Sequence, residues 1–546
     1  MKKNTLHTRV LATGMAGLMM AGMAAIPAAA ESAEEPVTLT VATQMNEKGE
    51  YSDANYAIKW LEDQCNVKFE FVALPSDSGD AETKLNLMLA SGTYPDIIAY
   101  NLDKQKTVKF GEEGIFIPIN DLISEYGDNL KHLFEIRPSY EQNAYAPDGN
   151  IYGFPTSNEC YHCQAYPKLW YNTAWLKELG LEEPTTTEEL KEVLIAVRDS
   201  DYNGNGEADE IPLTGSPDWD CQVEWWLMNS FTPCDKTTLS YAKDGKVIFA
   251  CNTDEFKQGL EYMHDLYEEG LIDPTAFSQA SDQMQQVVRS DEKRVFAYAA
   301  DHFGMGIDIN NRELNESISA MIPAEGPTGA RYQLKKDYVD MTEGFNWFIT
   351  DNCKNPEAAF KVGDFMLGHE ASLVQMYGEE GKYWGKLEKP VPSILQGVDA
   401  EYWITPGFTD SANDDYNKNT WWVMYDQTAE FRAAMSPRPD DLYTGDAYEA
   451  RLFDETTKVA DYFYPEYLPK KIFLEDADDA ETFASIQTSL QEYVKSSMAQ
   501  FITGDLSLEK DWDGYCQTID GYNVDKYVEL YQKAYDVYYN SASMEQ

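Results

Sequence analysis

Apolar and polar residues alternate over Val37-Thr-Leu-Thr-Val41, which predicts a strand. Tyr56 to Gln64 has helical spacing, and Val67, Phe69 and Phe71 alternate as a second strand. Ala81 to Ala90 presents Leu85, Met88 and Leu89 on one helical face. Ser91-Gly92 ends it, and Pro95-Asp-Ile-Ile98 opens a third strand. Strand, helix, strand, helix, strand predicts a parallel α/β sheet. Ligands in such sheets sit beyond the carboxyl ends of the strands, so Tyr100 and Asn101 are expected to face a crevice. Further on, Leu190, Val193, Leu194 and Val197 line one face of a helix over Thr185 to Arg198. Thr185 with Glu188, or Thr186 with Glu189, can form its capping box. Ile486, Leu490, Tyr493, Val494 and Phe501 repeat at helical spacing before a capping Gly504, and Asp525 to Tyr539 forms a last helix. Internal repeats and low-complexity blocks are absent.

The first 30 residues have a different pattern. Lys2, Lys3 and Arg9 precede an apolar run from Val10 to Ile26, and Ala28-Ala29-Ala30 follows Pro27. This is the pattern of a secretory signal peptide cut after Ala30, and the run is too short and too broken for a membrane anchor. No later run is apolar enough to span a bilayer, so the mature chain is expected outside the cytoplasmic membrane, without membrane insertion. The remaining length exceeds one ordinary core and implies two or three lobes. Ninety-four acidic against 43 basic residues give a net charge of −51, which excludes nucleic acid and anionic lipid as partners. A neutral or cationic ligand fits such a field better.

Asp201-Tyr-Asn203-Gly-Asn205-Gly-Glu207-Ala-Asp209-Glu210 places oxygen side chains at positions 1, 3, 5 and 9, with Gly206 at position 6. That is the spacing of an EF-hand-type calcium loop, in which position 7 binds through its backbone carbonyl. Position 12 is Pro212 rather than the bidentate Glu. The alternative is a turn of solvated acids; the calcium reading makes the ion structural, pinning the preceding helix to the strand at Ile211. Cys160-Tyr-His-Cys163 is a C-x-x-C. Pro167 argues against the helix that a redox pair wants, and no second ligand pair has zinc spacing, which leaves packed thiols or a disulfide ahead of either chemistry. Twelve Trp and 36 Tyr exceed what packing needs. Sugars stack their C–H faces on such rings. The ligand candidates are Trp219, Trp226, Trp347, Trp384, Trp421 and Trp422, with Asp301 and His302 beyond the apolar run Val295 to Ala300. For any single Trp, core packing is the alternative. If extended, Trp421 and Trp422 point opposite ways.

Asp148-Gly-Asn-Ile-Tyr-Gly-Phe-Pro155, Leu169-Trp-Tyr-Asn-Thr-Ala-Trp-Leu-Lys-Glu-Leu-Gly-Leu181, Pro184-Thr-Thr-Thr-Glu-Glu-Leu190, Asn355-Pro-Glu-Ala-Ala-Phe360, Phe501-Ile-Thr-Gly504 and Leu530-Tyr-Gln-Lys-Ala-Tyr535 follow one another along the chain. In this order they resemble the family 1 extracellular solute-binding proteins of ABC transporters, most of all the large calcium-containing alginate-binding subgroup. The resemblance implies an α/β, two-lobed periplasmic-binding-protein-like fold with hinge-crossing strands and a ligand cleft. It implies a monomer that passes an oligosaccharide to a permease driven by an ATPase, and it lets Glu210 replace the missing calcium ligand. Residues 31–165 are expected mainly in lobe 1 and 166–300 mainly in lobe 2. Residues 301–350 should cross back, and 351–546 should complete both lobes with helices. Unlike many relatives, the leader has no lipobox Cys. A secreted glycoside hydrolase and a glycan-binding adhesin are the alternatives. No nucleophile elbow, Walker loop or H-E-x-x-H appears, and neither repeats nor an anchor support an adhesin.

Overall fold

The computed structural model describes residues 35–44, 55–337, 344–405 and 414–542. The signal segment lies outside them. The chain first builds β1 (Val37–Gln44), β2 (Val67–Leu74) and β3 (Ile97–Ala99), then β4 (Phe154–Pro155). It continues through β5 (Lys168–Asn172), β6 (Ile211–Thr214), a hairpin of β7 (Ser240–Lys243) and β8 (Lys246–Phe249), β9 (Val295–Ala300) and β10 (Ile318–Ala320). It returns with β11 (Phe345–Asn346) and β12 (Phe348–Ile349), and β13 (Trp384–Pro392) with β14 (Asp399–Ile404) forms a second hairpin.

The first sheet has the order β12-β3-β1-β2. β1 is central and parallel to both neighbours, with Val37 opposite Val67 and Val41 opposite Ile97. The alternation in β1 and β2 turns Leu39, Val41, Val67 and Phe69 into a core shared with the helices Tyr56–Cys65, Ser78–Ser91 and Pro356–Met366. β12 adds antiparallel to β3, Phe348 facing Ile98, although some 250 residues separate them in sequence. The second sheet has the order β10-β5-β9-β6. Its core gathers Leu169, Leu190, Leu260, Leu490 and Tyr527 from the sheet and its covering helices.

The capping reading narrows to one pair. The helix runs Thr187–Arg198, Thr186 Oγ1 accepts from Glu189 N–H, and the Glu189 carboxylate accepts from Thr185 N–H and Oγ1–H at 2.8 and 2.7 Å. Residues 301–350 are not simply a crossover, since Ile318–Ala320 still pair with β5 and the return follows them. Residues 351–546 are not only helical, since they contain β13 and β14.

Three stretches connect the sheets, and two of them meet at Glu159. Thr156 N–H donates to Gly344 O at 3.1 Å, so the outgoing strand runs beside the returning one. Glu159 N–H donates to Gln427 O, and Ser157 Oγ accepts from Gln427 N–H. The buried Glu159 carboxylate accepts from Arg137 Nε and Nη2, both at 2.6 Å, from Tyr140 OH at 3.0 Å and from Ala429 N–H at 2.7 Å. A buried charge with every partner in place holds its segment in one geometry, and removing one partner strands the rest. Glu159→Ala should therefore cost about 3–5 kcal/mol of stability, measured by urea denaturation; a loss of under about 1 kcal/mol would place this carboxylate outside the structural frame.

Candidate functional site

The carboxyl ends of β1 and β3 open into a pocket of about 620 Å³. Gln44 ends β1, and Tyr100 and Asn101 follow β3 directly. The outgoing segment adds Thr156, Ser157 and Asn158, the returning one adds Asn346, and Trp422 and Tyr425 form an aromatic wall. Trp422 meets Tyr425 edge-on at 5.2 Å and is 37% exposed. The close approach of the two segments needs Gly344, which has φ +111°; a Cβ there would lie 2.3 Å from Leu102 O. Two amide oxygens, Asn158 Oδ1 and Asn346 Oδ1, are buried without a hydrogen-bond partner among the described residues. Such acceptors are costly unless something donates to them. No carboxylate lines this pocket, and Lys471 is its single cation.

A second pocket, of about 820 Å³, lies on the other lobe around Trp219 and Trp225. Trp219 is 78% exposed with φ +51°, an uncommon backbone conformation for a bulky residue. Its carbonyl accepts from Lys236 Nζ at 2.7 Å and from Gln222 Nε2 at 2.6 Å. Asp220 beside it accepts from Lys236 and Lys336 at 2.8 and 2.7 Å. Burial pushes its carboxyl up, but the two ammonium groups outweigh burial and hold it below the usual range. The segment near residue 470 reaches both lobes: Lys470 Nζ donates to Asp235, and Leu474 N–H donates to Gln105 Oε1.

Several candidate residues are placed elsewhere. Trp347 is 0% exposed; its Nε1–H donates to Ala359 O at 2.8 Å, and its ring packs edge-on against Trp421. Trp421 is 1% exposed between Phe69 and Phe71, and Trp384 is buried with Nε1–H on Gly378 O. Their size decides this: the sheet faces are built from short side chains, and large rings fill the remaining volume. Trp226 faces the second core while its neighbour Trp225 lines the pocket, about 100° round the same helix. Asp301 and His302 lie outside both pockets: Asp301 O accepts from Lys168 Nζ, and His302 Nδ1 meets Tyr448 OH at 2.6 Å. Tyr100, Asn101, Trp219 and Trp422 do line pockets. Asn158 and Asn346 escaped the sequence reading because a polar run after a strand has no periodicity; Thr156-Ser-Asn158 directly after Phe154-Pro155 is the signal it offers.

The loop Asp201–Glu210 joins the helix Thr187–Arg198 to β6. Asp201 Oδ2 accepts from Gly206 N–H, Asn203 Oδ1 from Asn205 N–H and Asn205 Oδ1 from Glu207 N–H, which coils the loop inward. Gly204 and Gly206 take φ +71° and +81° to close it. Asn203 and Asn205 amides reach Asp209 Oδ1 at 3.5 and 3.1 Å. Glu210 is buried, and while Oε1 accepts from Tyr202 N–H, Oε2 is buried without a partner. An orphaned carboxylate oxygen among other oxygen donors fits a hard divalent cation. The ring of Tyr202 stacks on Trp175 at 4.2 Å, which ties the loop to the second core.

Residues 46–372 match the bacterial extracellular solute-binding proteins. The chain belongs to that family. A curated relative, the fructooligosaccharide ABC transporter substrate-binding protein FusA of Streptococcus pneumoniae, is 27% identical over 493 residues, 88% of this chain and 86% of FusA. The structure of FusA in complex with kestose superposes with a TM-score of 0.75 at 24% identity, covering 92% of this chain and 100% of that one. A FusA EF-hand mutant in complex with fructo-nystose gives a TM-score of 0.73 at 24% identity, with the same two coverages. An HMO-binding, ABC-transporter-associated protein of Bifidobacterium longum infantis gives 0.74 at 21% identity, covering 92% and 99%. These likenesses establish the two-domain periplasmic-binding-protein-like fold of this family member. No helix among the described residues is long and apolar enough to cross a membrane.

The adjacent tryptophans separate packing from exposure. Trp421→Ala should cost about 3–5 kcal/mol, and Trp422→Ala under about 1 kcal/mol, by denaturant unfolding. Equal losses would contradict these placements.

Proposed function

We propose that this solute-binding protein captures a neutral oligosaccharide outside the membrane and passes it to an ABC permease, without turning it over. The observation that carries this reading is the lining of the first pocket: amides, hydroxyls and aromatic rings, two orphaned amide oxygens, and no carboxylate. Sugar hydroxyls donate to such oxygens, and the sugar's C–H faces stack on rings such as Trp422. The FusA relative, whose name specifies fructooligosaccharide, supports the same ligand class. Trp219 on the other lobe then supplies a second platform when the lobes close, the hinge motion of two-domain binders. The working unit is a monomer.

Calorimetric titration with kestose and other neutral glycans is expected to give saturable 1:1 binding, with a smaller radius of gyration by small-angle scattering. Asn158→Ala should weaken binding about tenfold, one lost hydrogen bond to ligand, with stability unchanged because that oxygen has no partner to lose. Release of shorter sugars would establish a hydrolase instead, and absence of binding across the glycan panel would remove the oligosaccharide reading.

We further infer that Asp201, Asn203, Asn205, Glu207 (through its carbonyl), Asp209 and Glu210 hold a structural calcium ion. The orphaned Glu210 Oε2 supports this, as does the existence of an EF-hand mutant of FusA. Chelation should lower Tm by about 2–5 °C. Asp201→Ala should show the same loss and no further response to chelator. A chelator-insensitive Tm in a metal-free preparation would exclude the ion.

A further inference from the structure

Cys160, His162 and Cys163 belong to neither pocket. The structure joins the two cysteines in a disulfide, with Cα atoms 5.3 Å apart. His162 sits between them in a 3-10 turn, its Nε2 3.5 Å from Cys160 Sγ. Donor atoms of all three residues lie within 4.8 Å of one another. His162 Nδ1 faces away from the sulfurs and meets Glu449 Oε2 at 3.3 Å. A histidine that binds a metal through one nitrogen almost always gives the other N–H to a carboxylate or carbonyl, which orients the ring and makes it a better ligand. Glu449 stands in that place, and it comes from the helix Tyr448–Ala460, nearly 300 residues along the chain.

The surroundings hold the turn in position. Lys168 Nζ donates to His162 O at 2.8 Å, and Tyr161 stacks on Phe453 at 4.3 Å. His162 and Cys163 are only half-buried, so an ion can reach them. We propose that the reduced form of this turn binds one thiophilic divalent cation, with Zn²⁺ as the natural occupant, through Cys160 Sγ, His162 Nε2 and Cys163 Sγ. Two thiolates and a neutral imidazole are the soft donor set that zinc takes, with the fourth tetrahedral position left to water. The two steps balance. A dithiol reductant delivers two electrons and two protons: the Cys160–Cys163 bond breaks, two thiols form, and the reductant becomes a disulfide. The cation then forms two metal–sulfur bonds and one metal–nitrogen bond, and the two thiol protons leave to solvent. Disulfide and metal exclude each other, so the site is gated by redox state. It lies on the outgoing segment and its oriented His is held from the helix after the third one, so the bound cation ties the two together. The inference stands independently of the ligand proposed for the cleft.

The test uses the full mature chain, reduced with a phosphine, freed of reductant without air and titrated with Co²⁺. The expected result is one Co²⁺ per chain, with a thiolate-to-cobalt charge-transfer band and tetrahedral visible absorption, both erased by one equivalent of Zn²⁺. The unreduced protein should show neither, because oxygen-only sites give no thiolate band. C160S and C163S should each lose the band, and H162A should bind at least about tenfold more weakly. Circular dichroism confirms folding, and the half-buried Cys163 supplies the variant least able to disturb it. No thiolate band in the reduced chain, the same band in both serine variants, or unchanged affinity in H162A would overturn the assignment.

Discussion

Glu159 accepts from a guanidinium, a phenol and the backbone amide of Ala429, and these donors come from separate stretches of chain. The first pocket depends on that arrangement. Residues 156–159 are extended and have no sheet ladder of their own beyond β4. Their path is set instead by Gly344 O on one side and by Gln427 on the other. With both contacts made, Asn158 and Asn346 come to the same wall, and Trp422 and Tyr425 come opposite them. The pocket is thus a consequence of how the connecting strands are tied, more than of either sheet alone. A buried carboxylate suits the role, because its cost without partners is high enough to reject other registers.

The local chemistry of the site runs against the composition of the whole. With 94 acidic residues, a random patch of surface would contain several carboxylates, yet none lines the first pocket. A diffuse negative field keeps the molecule soluble and repels polyanions. It does not recognise a neutral ligand, which needs directional donors and acceptors at fixed positions. The second pocket differs: Asp218, Asp220, Glu224 and Glu492 share it with Lys236 and Lys495. The two walls offer different contacts, and a closed complex would read both.

Much of the fold was legible in local pattern. The first three strands and two helices follow from alternation and helical spacing, because each has one face that must be buried. Gly504 as a left-handed cap and Thr186 as an N-cap were readable for the same reason: single residues whose backbone chemistry decides a boundary. Tyr100 and Asn101 were placed by sheet topology alone. The tryptophans were harder. Whether a ring stacks on ligand or fills a core depends on the volume left between elements far apart in sequence, and no local pattern records that volume. Trp347 shows this, lying between Phe69 and Trp421, partners some 280 residues before it and 74 after it. Asn158 and Asn346 were unreadable for a related reason: an amide becomes an orphaned acceptor only once the segments around it are packed.

Trp219 carries a further consequence. A bulky residue with φ +51° is strained, and strain of this kind persists only where surrounding contacts over-determine it. Here Lys236 and Gln222 both hold the Trp219 carbonyl, and Gln222 also donates to Pro217 O. Lys236 is itself anchored by Asp220, which Lys336 holds from the other side. The backbone under the ring is therefore fixed before any ligand arrives. A platform whose backbone is already ordered loses less conformational entropy on binding than one that must be ordered by it. The same network explains why Asp220 remains a carboxylate despite burial: it completes the clamp, and protonating it would release both lysines. The strain at Trp219 and the charge at Asp220 are two parts of one device that holds an indole out toward solvent.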